Sequence, residues 1–148
     1  MSAVTLRHAE TDTEIAACFP VMVLLRPHLA AEEFVTRVRR QHGAGYRLLA
    51  AWRDGVPVAL AGYRIEENLI HGRFIYVDDL VTAETERRGG LGAQLLTAVA
   101  EIGREQGIAR LVLDTAIDNV FAHRFYYRQG LLARALRFSR DIAQAGQG

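Results

Sequence analysis

The sequence contains no lysine: all 18 of its basic residues are arginine. A Walker-type phosphate loop, a Schiff-base intermediate and a lysine general base are excluded with it, because each needs a primary amine on a flexible stem. Serine occurs only as Ser2 and Ser139, neither inside a G-x-S-x-G elbow, which excludes serine-hydrolase chemistry. A single cysteine, Cys18, forms no internal disulfide and no multi-cysteine zinc site, and reads as a small buried apolar residue. His8, His28, His42, His71 and His123 lack H-x-x-x-H or any other ligand spacing, so no metal is expected. The longest apolar stretches, Val21 to Leu25 and Val56 to Gly62, fall far short of the ~20 residues of a membrane span. The first residues carry no signal-peptide apolar region, and the reading is a cytoplasmic protein.

Charge of one sign is also missing. The 18 basic and 17 acidic residues leave a net charge of +1 and are interspersed, so there is no basic stripe for a phosphate backbone and nucleic acid is not an expected partner, nor is a membrane. What is present is ordinary globular composition: 148 residues, 50% hydrophobic, 24% charged, with 13 glycines against 3 prolines. That length suits one domain, 1–148, with one core.

Alternation over Val4 to Arg7 predicts a first strand, and Asp12 is placed to cap a helix that runs through Ile15 and Phe19 and is broken or kinked at Pro20. A second helix is expected at about Ala30 to Gln41. Tyr46 to Arg53 and Val58 to Ile65 read as a hairpin joined by Asp54-Gly55, and Arg73 to Thr82 as a further strand. Leu91, Leu95, Leu96, Val99 and Ile102 fall on one face of a helix ending near Gly107. Arg110 to Thr115 is a short apolar strand. Asp118 or Asn119 caps a helix running to Gln129, Gly130 stops it, and Leu131 to Phe138 reads as a last strand. The order β-α-α-β-β-β-α-β-α-β predicts an α/β (α+β) fold: a mixed, mostly antiparallel central sheet flanked by helices on both faces.

The sharpest local signal is Val77 to Gln94, VDDLVTAETERRGGLGAQ, a strand feeding a short loop that opens into an amphipathic helix. Gly89, Gly90 and Gly92 let the backbone approach a ligand closely, and the unpaired amides at the start of the helix favour an anion such as a pyrophosphate. Arg87 and Arg88 add charge that a phosphate can use, or are solvated surface arginines. The dinucleotide fingerprint G-x-G-x-x-G fails, because Leu95 stands where its last glycine belongs. By itself the cluster is compatible with a tight strand-to-helix turn.

The R/Q-x-x-G-x-G/A pattern met by Arg87, Gly90 and Gly92 resembles the signature of the GNAT superfamily of acyl-CoA-dependent N-acyltransferases. A second pattern of that superfamily, N-x-x-A-x-x-x-Y-x-x-x-G, is matched by Asn119, Ala122, Tyr126 and Gly130. The resemblance implies a co-substrate, acetyl-CoA, no metal, and transfer of an acetyl group to a primary amine in a ternary complex. Leu80, Val81 and Thr82 would pair through their backbone with the pantetheine arm, an N–H near Leu80 polarising the thioester carbonyl. Arg87, Arg88, Gly89, Gly90, Leu91, Gly92 and Ala93 would bind the pyrophosphate, and Asn119 would reach the cofactor from the following helix.

Aminolysis of a thioester needs a neutral amine, so a nearby carboxylate serves as base, directly or through water. Asp78 stands at the superfamily's acidic position. Asp79 points to the opposite strand face unless a bulge intervenes, and another residue or bulk water is the third choice. Tyr126 falls on the superfamily's general-acid position, with Phe125 and Tyr127 assigned to packing and His123 to the acceptor pocket or the surface. Acceptor specificity in such proteins comes largely from the first two helices and their connection, here Leu25-Arg26-Pro27-His28. Arg26 and His28 are placed to contact an acidic acceptor group, with Tyr63, Arg64 and Tyr76 as further wall candidates, or all five are surface and packing residues. The acceptor itself, a small molecule or a peptide amine, is not specified, and dimers are frequent among similar proteins. A domain that binds acyl-CoA without turning it over, and an interaction domain whose glycine turn is purely structural, are the alternatives.

Overall fold

The computed structural model describes residues 2–143. The chain divides into two compact units, Met1–Leu113 and Asp114–Gly148.

The first unit holds strand β1 (Thr5–His8), helices α1 (Asp12–Ala17), α2 (Phe19–Leu25) and α3 (Ala31–His42), strands β2 (Arg47–Arg53), β3 (Val56–Asn68) and β4 (Gly72–Thr82), helix α4 (Leu91–Glu105) and strand β5 (Leu111–Leu113). The sheet runs in the order β1-β2-β3-β4-β5, antiparallel from β1 to β4, with β5 parallel to β4. The mixed, mostly antiparallel sheet with flanking helices is the predicted class.

The first helical region differs from its expected form. Thr11, not Asp12, is the cap: its hydroxyl accepts from the Glu14 amide at 3.1 Å, while the Glu14 carboxylate accepts from the Thr11 amide at 3.0 Å. T-D-T-E is a reciprocal capping box, and it moves the helix start by one residue. Pro20 does not kink one helix but lies in the first turn of a second, where a missing N–H leaves nothing unsatisfied. Cys18 joins the two.

The Asp54-Gly55 turn takes left-handed backbone at both positions, φ 53 and 77, which is what a two-residue hairpin needs to match strand twist. Beyond it, β3 and β4 run longer than their apolar patterns and meet at a connection where the Asn68 carboxamide oxygen accepts from the Ile70 and His71 amides at 3.0 and 2.7 Å. On one sheet face Leu48, Ala50, Trp52 and Leu60 pack with Ile15, Cys18, Met22, Phe34 and Val38 from the first three helices. The pleat turns Leu49 and Ala51 to the other face, and α4 lies against β2, β3 and β4 through Leu91, Leu95, Leu96 and Val99. Burying each large aliphatic side chain contributes about 1.5–3 kcal/mol. Gly103 lets α4 approach closely, since a Cβ there would stand 2.9 Å from Ile75 Cδ1.

In the second unit Asn119 caps α5 (Val120–Arg128), and Gly130 at φ 86 ends it in the left-handed conformation. The strand expected over 131–138 is not formed. Alternation supplies a strand with a face but not with a partner; among the described residues of this unit no strand is formed, and Leu132, Leu136 and Phe138 are exposed. Among the described residues no helix is long and apolar enough to cross a membrane.

Candidate active site

The ladder between β4 and β5 stops at Val77 with Leu113. From Asp79 to Thr82 β4 pairs with β3, and from Asp78 onward no strand among the described residues pairs with its other edge. The β3–β4 register slips at the same place. Gly62 faces Asp79 and Tyr63 faces Val77, which leaves Asp78 as the extra residue of a bulge. This was the condition under which adjacent carboxylates share a face.

Both aspartates enter one polar cluster. Asp79 accepts from Arg26 Nε at 2.9 Å through Oδ1 and from the Tyr46 hydroxyl at 2.7 Å through Oδ2. Asp78 receives Arg64 in a fork, Nε to Oδ1 and Nη2 to Oδ2, each at 3.0 Å. Arg26 Nη2 also donates to the Asp78 carbonyl at 2.8 Å, and Arg64 Nη2 donates to Gln41 Oε1 at 3.0 Å. The Arg64 guanidinium carbon lies 5.4 Å from the centroid of the Tyr46 ring. Burial raises the Asp78 carboxyl above its ordinary value even though Arg64 opposes it, the direction useful in a proton acceptor. Burial, with Asp79 beside it, also holds the Tyr46 hydroxyl well above the usual phenol value, so it stays a donor.

Gly62 makes this cluster possible. A Cβ on it would fall 1.9 Å from the Tyr46 hydroxyl oxygen and 2.7 Å from Asp79 Oδ2. Neither Gly62 nor Tyr46 is among the residues singled out from the sequence. A lone glycine inside an apolar strand, A-L-A-G-Y, is the available signal, since it marks a bulge or a close approach. Of the acceptor-side candidates, Arg26 and Arg64 join the cluster. Tyr63 does not: it is buried, its hydroxyl 2.7 Å from His8 Nε2. Tyr76 sits in the ladder opposite Arg64 and Val112, and His28 is exposed.

Downstream, a 3-10 turn at Glu84–Glu86 carries β4 to the glycines, and Arg53 ties it to β2 through Glu86 at 3.0 Å. Arg87, Arg88, Gly89 and Gly90 are exposed. Arg88 holds φ 73, a left-handed geometry that costs a side-chain-bearing residue about 1–3 kcal/mol and is concentrated at functional turns. Gly90 caps α4 at φ 79 with open space where a Cβ would be. Helix α1 closes its first amides with a capping box, and α5 uses the Asn119 side chain at 3.2 Å from the Ala122 amide. Helix α4 has neither a side-chain cap nor an acidic residue in its first turn. Its first helical bond runs from Gln94 N to Gly90 O, so the amides of Leu91, Gly92 and Ala93 have no acceptor in the helix. This is an anion-ready terminus, with the Arg87 and Arg88 side chains beside it.

In the second unit, burial raises the Tyr126 hydroxyl above its ordinary value. Phe125 meets the Tyr126 ring edge-on at 5.5 Å between centroids, whereas Tyr127, expected to pack, is exposed. Asn119 spends its side-chain oxygen on the cap. His123 Nε2 lies 2.9 Å from the Ala116 carbonyl and holds the loop that precedes α5.

Comparison with known proteins shows a family and a fold. The model of the acetyltransferase (GNAT) family matches residues 9–131. The aminoalkylphosphonate N-acetyltransferase of Salmonella typhimurium is 29% identical over 146 residues, 96% of this chain and 94% of that protein. An uncharacterized N-acetyltransferase of Bacillus subtilis is 27% identical over 122 residues, 82% of this chain and 86% of that one. Among solved structures, the aminoglycoside N-acetyltransferase AAC(6')-Iy in complex with CoA superposes with a TM-score of 0.84 at 18% identity, covering 96% of this chain and 97% of that chain.

Proposed function

The chain belongs to the GNAT acetyltransferase family and is an N-acetyltransferase, and from that premise we propose that it moves an acetyl group from acetyl-CoA directly to the primary amine of a small acceptor. The observation that carries the reading is the pairing of two open backbone surfaces on one connected stretch. The unpaired edge of β4 over 78–82 is offered to an extended thiol arm, and the uncapped start of α4 to a diphosphate. Leu80, Val81 and Thr82 supply the first through main-chain groups. Arg87, Arg88, Gly89, Gly90, Leu91, Gly92 and Ala93 supply the second, and Asn119 adds a side-chain contact to the cofactor.

Acetyl-CoA brings the activated thioester, and the protein brings positioning and proton transfer. Asp78 receives the proton that the acceptor ammonium must lose, directly or through a water. Burial raises its carboxyl and Arg64 alone holds it, whereas Asp79 is held from two sides by Arg26 and Tyr46. An amide N–H near Leu80 polarises the acyl oxygen. Tyr126, assigned from its motif position, protonates the departing sulfur.

Calorimetric titration with acetyl-CoA tests the first half, and release of CoA thiol across an amine panel tests the second. Saturable binding with turnover is expected. Binding without turnover on any amine leaves an acyl-CoA sensor, and no binding removes the reading.

A further inference from the structure

Four charged side chains meet at the bulge, and they do not share the surface equally. Asp78, Asp79 and Arg64 keep 23%, 12% and 17% of their side chains exposed, whereas Arg26 keeps 41%. The carboxylates are also partnered. Arg64 occupies both oxygens of Asp78, and Arg26 with Tyr46 occupies both of Asp79. The guanidinium of Arg26 uses Nε and Nη2 internally and has Nη1 left over among the described contacts. Of the four charged groups, the Arg26 guanidinium is therefore the most exposed and the one with a donor to spare.

The position of Arg26 reinforces the point. It is the C-cap of α2 and begins the 26–30 connection to α3, so its stem is set by a helix end and its head by β4. His28, exposed two residues on, adds a second group able to carry positive charge. Glu66 acts on Asp78 and Arg64, at the end of the cluster away from the Arg26–Asp79 pair. Each of the two aspartates already has an arginine partner, so the cluster offers no unpaired carboxylate to a second ammonium group.

We propose that Arg26 reads a negatively charged group on the acceptor, so that the preferred substrates are short aminoalkyl acids, primary amines that carry a phosphonate or a carboxylate. This rests on the acetyltransferase reading and narrows it. A planar guanidinium held by Asp79 and a backbone carbonyl is preorganised to donate to an oxyanion, and one such charge-assisted bond favours an acidic over a neutral acceptor by about ten-fold or more.

The test measures kcat/KM with the purified full chain for 3-aminopropylphosphonate, 4-aminobutanoate, n-butylamine and 1,4-diaminobutane at fixed acetyl-CoA. The acidic amines are expected to lead, the phosphonate and carboxylate arms saying which oxyanion fits better. Arg26→Gln is expected to collapse the acid-to-neutral ratio by about ten-fold, mainly through KM, and Arg26→Lys to restore part of it. Equal preference for acids and butylamine, or preference for the diamine, in the unsubstituted protein overturns the proposal without any variant. So does an acid-to-neutral ratio that Arg26→Gln leaves unchanged, since a purely structural strut affects all acceptors alike. If acetyl-CoA binds and no member of the panel is acetylated, the acceptor class is refuted. If acetyl-CoA does not bind, the acetyltransferase reading falls first.

Discussion

Asp78 and Asp79 are neighbours in sequence with different capacities left. Asp79 is held from two sides, while Asp78 has one partner and a carboxyl raised by burial. Replacing Asp78 by Asn is expected to lower kcat by on the order of 10²-fold near neutral pH. Because the raised carboxyl must be ionised to accept a proton, the unsubstituted enzyme loses activity as pH falls through the raised value. The pH–rate profile of the Asn variant should lack that limb. Tyr126→Phe is expected to reduce turnover while leaving the calorimetric affinity for acetyl-CoA unchanged, and equal losses of both would remove its role as proton donor. The candidate carboxylates and the tyrosine were legible from the sequence because each sits in a short pattern. Tyr46 and Gly62 were not. Their importance depends on two strands lying side by side with a slipped register, and that pairing is decided by tertiary packing, not by neighbours along the chain.

Elements followed their local rules where those rules are strong. The D-G hairpin, the apolar stripe of α4 and the glycine stop at Gly130 formed as read. The start of α1 shifted by a residue because Thr11 and Glu14 cap it reciprocally. In that box the Glu14 carboxyl is lowered to about 2 from 4.5, chiefly by its hydrogen bonds from the Thr11 and Glu10 amides. A depressed carboxyl contributes stability that is complete above its unfolded value and lost as pH falls toward the folded one. Thermal melting of Glu14→Gln, which keeps an acceptor without the charge, should therefore trail the unsubstituted protein at pH 6 and converge with it as pH drops from 4.5 to about 2. A gap that persists at the acid end would contradict the linkage. The expected last strand was misread because a two-residue period says which side chains share a face and nothing about what will bond to the backbone.

At the scale of the whole molecule, folding and cofactor binding are linked. A ligand present at a hundred times its dissociation constant stabilises the folded chain by about 2.7 kcal/mol, which appears as a higher melting temperature. Acetyl-CoA should produce that rise, and Gly90→Val should abolish it. A Cβ at this position meets no protein atom within 4 Å, so the main folding penalty is backbone strain at φ 79. A variant that melts somewhat lower yet still responds to acetyl-CoA would argue against a diphosphate at that helix end. The chain's one cysteine has a bearing on how such work is done. Cys18 is fully buried, its sulfur directed at the Glu14 carbonyl, and burial pushes its thiol up to about 12. An aromatic disulfide dye added to the folded enzyme finds no reactive sulfhydryl on the polypeptide, so colour that develops during turnover is a direct count of product.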